Sequence, residues 1–208
     1  MCQAAGAAVD LLAKDYWDQP VAFLEYDVNA DFPSRSSRWW AAYGGNQANT
    51  PLIMVDSGNQ ISNGLVDFYN VYKGMVDASM ARPAQAGIQA YAWRDGDKVG
   101  FYVQVENGSG VALSPANDAT VHGIVYEEIR AGVTNRYVRA AVATSITSLN
   151  DGDKGTFTFE SGDLSGVNWD KLHYIVLVDY LPAGSPGAYD MLQAAPAILL
   201  PAPFEVQP

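Results

Sequence analysis

The sequence predicts an α/β layer followed by an all-β sandwich. Up to about residue 82, apolar residues recur at helical spacing between short apolar runs. From Gln85 onward that period vanishes, and alternating segments punctuated by turns replace it. Composition permits both parts. Of 208 residues, 49% are apolar and 17% charged, which is enough for a packed core and unlike a disordered chain. The expected division is an α/β domain over residues 1–82 and a β domain over 85–208, with Pro83 and Ala84 as a short linker.

In the first part, residues 2–17 are Ala-rich and place Ala5, Val9, Leu12 and Tyr16 on one helical face. Pro20 ends that helix. The nearly continuous apolar run 21–28 is expected as a buried strand. A turn-rich loop from Asn29 to Ser34 leads to a helix over 34–44, stopped by Gly44 and Gly45. Leu52 to Val55 reads as a strand, 56–59 as a turn, and Gln60 to Ser62 as its hairpin partner. Leu65, Phe68, Val71, Tyr72, Met75 and Val76 mark a third helix ending near Arg82.

A cysteine opening a helix, then strand, helix, Thr-Pro, strand, Gly turn and helix, resembles the thioredoxin fold lacking its first strand. The resemblance covers roughly residues 2–80. It implies that Cys2 corresponds to the second, resolving thiol of a Cys-x-x-Cys motif. It also implies that Thr50 and Pro51 are the substrate-facing cis-proline dipeptide. The first cysteine of the motif would lie three positions before Cys2, where this chain has no residue. A helix N-terminus favours a thiolate through its exposed N–H groups and dipole. Dithiol exchange also needs a partner thiol to release the mixed disulfide. Cys2 is the only cysteine, so it reads equally as a free thiol at a helix end.

The second part carries strand patterns at 88–95, 98–107, 119–129, 136–149, 155–161, 173–181 and 194–200. Seven strands over this length, with no cysteine pair, suggest a disulfide-free immunoglobulin-like sandwich. The run from Arg136 to Arg139, the strand 173–181, and the stretch from Met191 to Ala195 complete a second resemblance. They are similar to the Omp28 outer-membrane protein family, a thioredoxin-like domain followed by an Ig-like one. That resemblance implies an extracytoplasmic protein, in the periplasm, the outer membrane or at the cell surface, with a cell-surface or adhesin-like role.

Formal net charge is −11, with 12 basic and 23 acidic residues and no basic stripe, so nucleic acid and anionic membranes are poor partners. No apolar run approaches the roughly 18–20 residues that span a bilayer, and no signal peptide precedes Cys2. No metal site or cofactor is expected. His122 and His173 are too few for a catalytic zinc set. The triplets 95–97 and 151–153, both Asp-Gly-Asp, do not continue as a calcium loop. Glu127 and Glu128 point to opposite strand faces and cannot form a dyad. Asn107-Gly108-Ser109 is a glycosylation sequon. Trp39, Trp40 and Tyr43 are expected to pack a short helix against its neighbours, the alternative being an exposed aromatic platform.

Two functions follow. One is a relative of thiol–disulfide oxidoreductases, inactive as a dithiol enzyme in this chain, whose partner is a protein thiol or disulfide. The other is a non-catalytic surface module that binds a protein or serves as structure. The oligomeric state is not encoded in any pattern found.

Overall fold

A computed structural model describes residues 2–27, 32–45, 49–131 and 134–201. Among them are three α-helices and three sheets, and strand outweighs helix. Helix α1 (Cys2–Asp15) turns Ala5, Ala8, Val9 and Leu12 inward. They meet Tyr72, Met75 and Val76 of α3 (Phe68–Met80), giving the first part its own apolar cluster, with Tyr16 closing one end. Asp67 caps α3, its side chain accepting from the Asn70 N–H. Helix α2 (Pro33–Tyr43) starts on a proline and stops at Gly44, whose φ of 77° is left-handed. Strands β1 (Leu52–Val55) and β2 (Gln60–Asn63) form the expected hairpin.

The expected α/β thioredoxin-like sheet is not there. β1 and β2 pair only with each other, as a two-stranded antiparallel sheet. The run expected as a buried strand joins a different sheet. Among the described residues, its bridge is Glu25 with Tyr137, made by Glu25 N–H to Arg136 O (3.0 Å) and Val138 N–H to Glu25 O (2.9 Å). With no central strand to bridge the run and the hairpin, the run satisfies its backbone on the nearest open edge. Val28 and most of the loop after it lie outside the described residues.

The second part is all-β. Strands β3 (Ala86–Asp95), β4 (Lys98–Asn107), β5 (Thr120–Ala131), β6 (Thr134–Ser145), β7 (Lys154–Glu160), β8 (Leu172–Tyr180), β9 (Asp190–Pro196) and β10 (Ile198–Leu200) make two four-stranded sheets. Their orders are β10-β3-β4-β7 and β6-β5-β8-β9. This arrangement replaces the seven-stranded immunoglobulin-like expectation. The difference arises at the end of the chain, where the single expected strand is two. Pro196 cannot donate to a ladder. Beyond it the chain leaves β9 and changes sheets, and β10 runs parallel to β3.

Between the sheets lies the main core, including Val99, Phe101, Val103 and Val105 of β4, Val121 and Val125 of β5, and Val176 and Val178 of β8. Each such side chain contributes about 1.5–3 kcal/mol by leaving water. Phe101 stacks on Phe159 at 5.3 Å between centroids, and both rings rest on Gly123. A Cβ there would come within 2.6 Å of the Phe159 ring. The other face of the β5–β8 sheet is also covered. Ile124, Val138 and Leu177 meet Phe32, Leu24 and Tyr26 of the first part. That sheet is therefore a middle layer, with the partner sheet on one side and α2 with its flanking segments on the other.

Candidate functional site

The middle sheet carries, on its α2-facing side, the densest charged cluster among the described residues. Alternation along β5 sends Val121 and Val125 to the main core, and Thr120, His122 and Ile124 to the opposite face. On β8, Val176 and Val178 face the core, while Leu177 and Asp179 face α2. Arg35 and Arg38 are spaced i, i+3 and so share one side of α2. Arg35 Nη1 donates to Asp179 Oδ2 at 3.0 Å, and its Nη2 donates to Ser57 Oγ at 3.1 Å. Arg38 Nη2 reaches Asp179 Oδ1 (3.2 Å) and Thr120 Oγ1 (2.9 Å), and its Nη1 reaches Asp118 Oδ2 (2.9 Å). Tyr189 donates to Asp118 at 2.6 Å, and the Arg38 guanidinium lies 3.9 Å above its ring.

His122 Nε2 lies 3.0 Å from Asp179 Oδ1, and both side chains are 0% exposed. Since the carboxylate accepts, Nε2 carries the hydrogen and Nδ1 is the unprotonated nitrogen. Burial pushes the His122 pKa below its ordinary value, against the attraction of Asp179 and with the repulsion of Arg35 and Arg38. Burial pushes the Asp179 carboxyl up, but its contacts with His122, Arg35 and Arg38 outweigh that and hold it well below the usual carboxylate range. Burial, helped by the bond to Asp118, pushes the Tyr189 hydroxyl up to about 12. The cluster holds two arginines against two carboxylates beside a neutral histidine. Among the described residues, His122 Nδ1 has no hydrogen-bond partner, and neither has the Nε of Arg35 or Arg38. Among the described residues, no serine, threonine or cysteine hydroxyl or thiol bonds to His122, so the pair is not joined to the nucleophile of a catalytic triad.

Close approach of α2 depends on two glycines. Gly187 (φ 141°) sits where a Cβ would fall 2.2 Å from Ala41 O. Gly58 (φ 114°) sits where one would fall 2.4 Å from the Ala42 side chain. A second clasp lies beside the first. Arg82 pairs with Asp56 (3.2 Å) and with Asp190, and Asn59 donates to Asp190 at 3.1 Å.

The sequence-derived site residues sit elsewhere. Cys2 is exposed at the start of α1. The Tyr72 hydroxyl is pushed up chiefly by burial, with a smaller contribution from Cys2. The Thr50–Pro51 bond is cis; Thr50 is exposed and Pro51 buried at the start of β1. Among the described residues, no hydrogen bond joins Cys2 to Thr50 or Pro51. Trp39 packs edge-on to Tyr26 at 4.7 Å, and Tyr43 accepts from Asn63 at 2.9 Å. Asn107 of the sequon is fully buried, donating to Val111 O (2.8 Å) and Leu149 O (3.0 Å), so it locks a loop and offers no sugar attachment point. In the second Asp-Gly-Asp triplet, Asp153 accepts from the Asn150 N–H within the turn, and Asp151 accepts from the Gly110 N–H of a neighbouring loop.

His122 was noted in the sequence, but its partners were missed. The signal was present: a lone Asp in the apolar run 172–180, a lone His in β5, and two arginines at i, i+3 in a short helix. Charges at inward strand positions require partners.

The geometry thus defines a three-layer molecule, a two-sheet β-sandwich with a helical layer clasped to one sheet. No family model and no curated protein matches this chain. Among solved structures, it is similar to a domain of the outer membrane lipoprotein Omp28 from Porphyromonas gingivalis. That match has 18% identity and a TM-score of 0.38, and covers 58% of this chain and 92% of that one. It is also similar to the sporulation control protein Spo0M from Bacillus subtilis, at 14% identity and a TM-score of 0.29, over 57% of this chain and 50% of that one. The β-glucosidase DesR from Streptomyces venezuelae is similar at 12% identity and a TM-score of 0.32, over 77% of this chain and 17% of that one. At these TM-scores, none of the three decides fold or activity. Among the described residues, no helix is long and apolar enough to cross a membrane.

Proposed function

We propose that this chain is a non-catalytic binding or structural module acting outside the cytoplasm. One observation carries the reading: the densest cluster of charged and acid–base groups, around His122 and Asp179, is sealed between layers and its charges neutralise one another. His122 and Asp179 are inaccessible, and Arg35 and Arg38 are spent on them. A general base must reach a substrate proton directly or through one water, and this pair has no open path. Such a cluster holds elements together. Dithiol exchange is the competing reading, and it needs a second thiol; Cys2 is the only one in 208 residues.

Insulin reduction by dithiothreitol provides the test. The purified chain is expected to leave the rate at the uncatalysed level, and Cys2→Ser to match it. Acceleration that disappears in Cys2→Ser would overturn the proposal. Location is tested separately by protease treatment of spheroplasts, where the extracytoplasmic reading expects the chain to be digested or released while a cytoplasmic marker stays intact.

A further inference from the structure

The face of the β10-β3-β4-β7 sheet that points away from the core carries aromatic, amide and hydroxyl side chains in register. Across the sheet, register aligns Ile198, Tyr91, Tyr102 and Thr158 in one row, and Gln89, Gln104 and Thr156 in the next. Tyr91 and Tyr102 are directly opposite each other, with centroids 6.3 Å apart and planes tilted by 46°. Gln89 donates to the Tyr91 hydroxyl at 2.6 Å, and Gln104 to the Tyr102 hydroxyl at 3.3 Å. Each tyrosine is thus held by the amide two residues away on its own strand. Trp93 extends the aromatic surface. Its ring lies over Gly100, where a Cβ would come within 2.3 Å.

Charge is excluded from the middle of this face. Lys154 pairs with Glu106 at 3.0 Å toward one end, and Lys98 with Glu160 at the other. Between them are tyrosines, glutamines and threonines, with Trp93 over Gly100 and the aliphatic Ile198 and Leu200 confined to the edge strand β10. In a chain of net charge −11, an uncharged, aromatic and amide-rich strip selects a neutral, polyhydroxylated partner. Tyrosine and tryptophan present an apolar ring with a polar tip. Such rings cover the C–H faces of a sugar, while amide and hydroxyl groups exchange hydrogen bonds with its hydroxyls. An apolar protein partner would call for a larger hydrophobic centre. A charged one would call for free charges of the opposite sign.

From this we infer that the outer face of the β10-β3-β4-β7 sheet binds a neutral polysaccharide, lying across Tyr91 and Tyr102. The inference rests on the binding-module reading and deepens it by naming the ligand class. Native gel electrophoresis of the full chain through soluble xyloglucan, hydroxyethyl cellulose or galactomannan tests it, with anionic polygalacturonate as control. At least one neutral polymer is expected to retard the chain, and polygalacturonate is not. Tyr102→Ala and Tyr91→Ala should weaken retardation at least tenfold, and Gln104→Glu should weaken it several-fold while leaving the aromatic pair in place. Thermal melts check that each variant folds. The inference is overturned by an absence of retardation in all three neutral polymers. Retardation indifferent to Tyr91, Tyr102 and Gln104 overturns it too, as does concentration-dependent self-association abolished by Tyr102→Ala, which would make the face a contact between copies. Each of these leaves the non-catalytic reading to stand or fall on insulin reduction alone.

Discussion

Asp179→Asn removes one charge from the centre of the clasp and changes almost no volume. In the native chain, that carboxylate accepts from Arg35 at 3.0 Å, Arg38 at 3.2 Å and His122 at 3.0 Å. The amide keeps a single acceptor oxygen and turns an N–H₂ group toward donors. Arg38 then keeps Asp118, whose side chain is half exposed, while Arg35 keeps only the Ser57 hydroxyl and no carboxylate. Removing one partner of a buried ion pair typically costs about 3–5 kcal/mol, because the surviving charge is left uncompensated. For a chain of this size, that is a fall in Tm of about 6–20 °C. Urea unfolding followed by circular dichroism measures it, the midpoint moving and the slope remaining unchanged. The loss should shrink when Arg35 is already Met, with a coupling of about 0.5–3 kcal/mol. A loss below about 1 kcal/mol, or strict additivity with Arg35→Met, would refute the claim that the cluster clasps the layers.

Acid should weaken the fold through His122. Its folded pKa lies below the ordinary 6.5, so under mildly acidic conditions the unfolded chain binds a proton that the folded chain refuses. Stability therefore falls as pH drops below about 6.5, by at most about 1.4 kcal/mol per unit, until the folded pKa is reached. His122→Gln should flatten that slope in urea titrations at pH 7 and 5. The Asp179 contribution has the opposite origin: it is present above the ordinary carboxylate pKa and fades only in stronger acid, as pH falls through the depressed folded value. Gly187→Ala should destabilise by about 1–3 kcal/mol, since its Cβ meets Ala41 O and its φ is unfavourable for alanine; an unchanged urea midpoint would count against the close seat of α2. Cys2, being exposed, should react with a thiol reagent at full stoichiometry in the folded chain. Cys2→Ser should leave the melt within about 0.5 kcal/mol of the parent.

Local pattern carried much of this structure. The Ala5, Val9, Leu12 face of α1, the β1–β2 hairpin and the β3–β4 hairpin around Gly96 are set by neighbours in sequence, and spacing exposes them. Pairing between distant segments was not legible. Residues 21–27 are apolar enough for a buried strand, and nothing in their period says that the partner is β6, more than 100 residues away. The split between β9 and β10 was hidden for a related reason. Both pieces are apolar, and Pro196 marks a break without saying that the chain changes sheets. Resemblance misled where element order matched but pairing did not. The helices and the hairpin occur in the expected order, yet the strand expected between the first two helices is a single bridge and the hairpin remains a separate two-stranded sheet.

A sheet covered on both faces should be apolar on both, so Thr120, His122 and Asp179 on the middle sheet ask for a reason. Burying the cluster costs desolvation that apolar residues would avoid. What the charges add is register. Phe32, Ile124, Val138 and Leu177 make contacts without direction, which tolerate a small slide or rotation of α2. Arg35 and Arg38 do not. One residue of slip turns each by about 100° and takes both away from Asp179. Replacing Arg35, Arg38 and Asp179 together by Met, Met and Leu should therefore leave urea stability within about 2 kcal/mol of the parent, or raise it. It should at the same time blur the seat of α2, seen as several indole N–H signals from Trp39 and Trp40 in place of one each. A triple variant with a single sharp set would assign the register to the apolar contacts and to Gly58 and Gly187 alone.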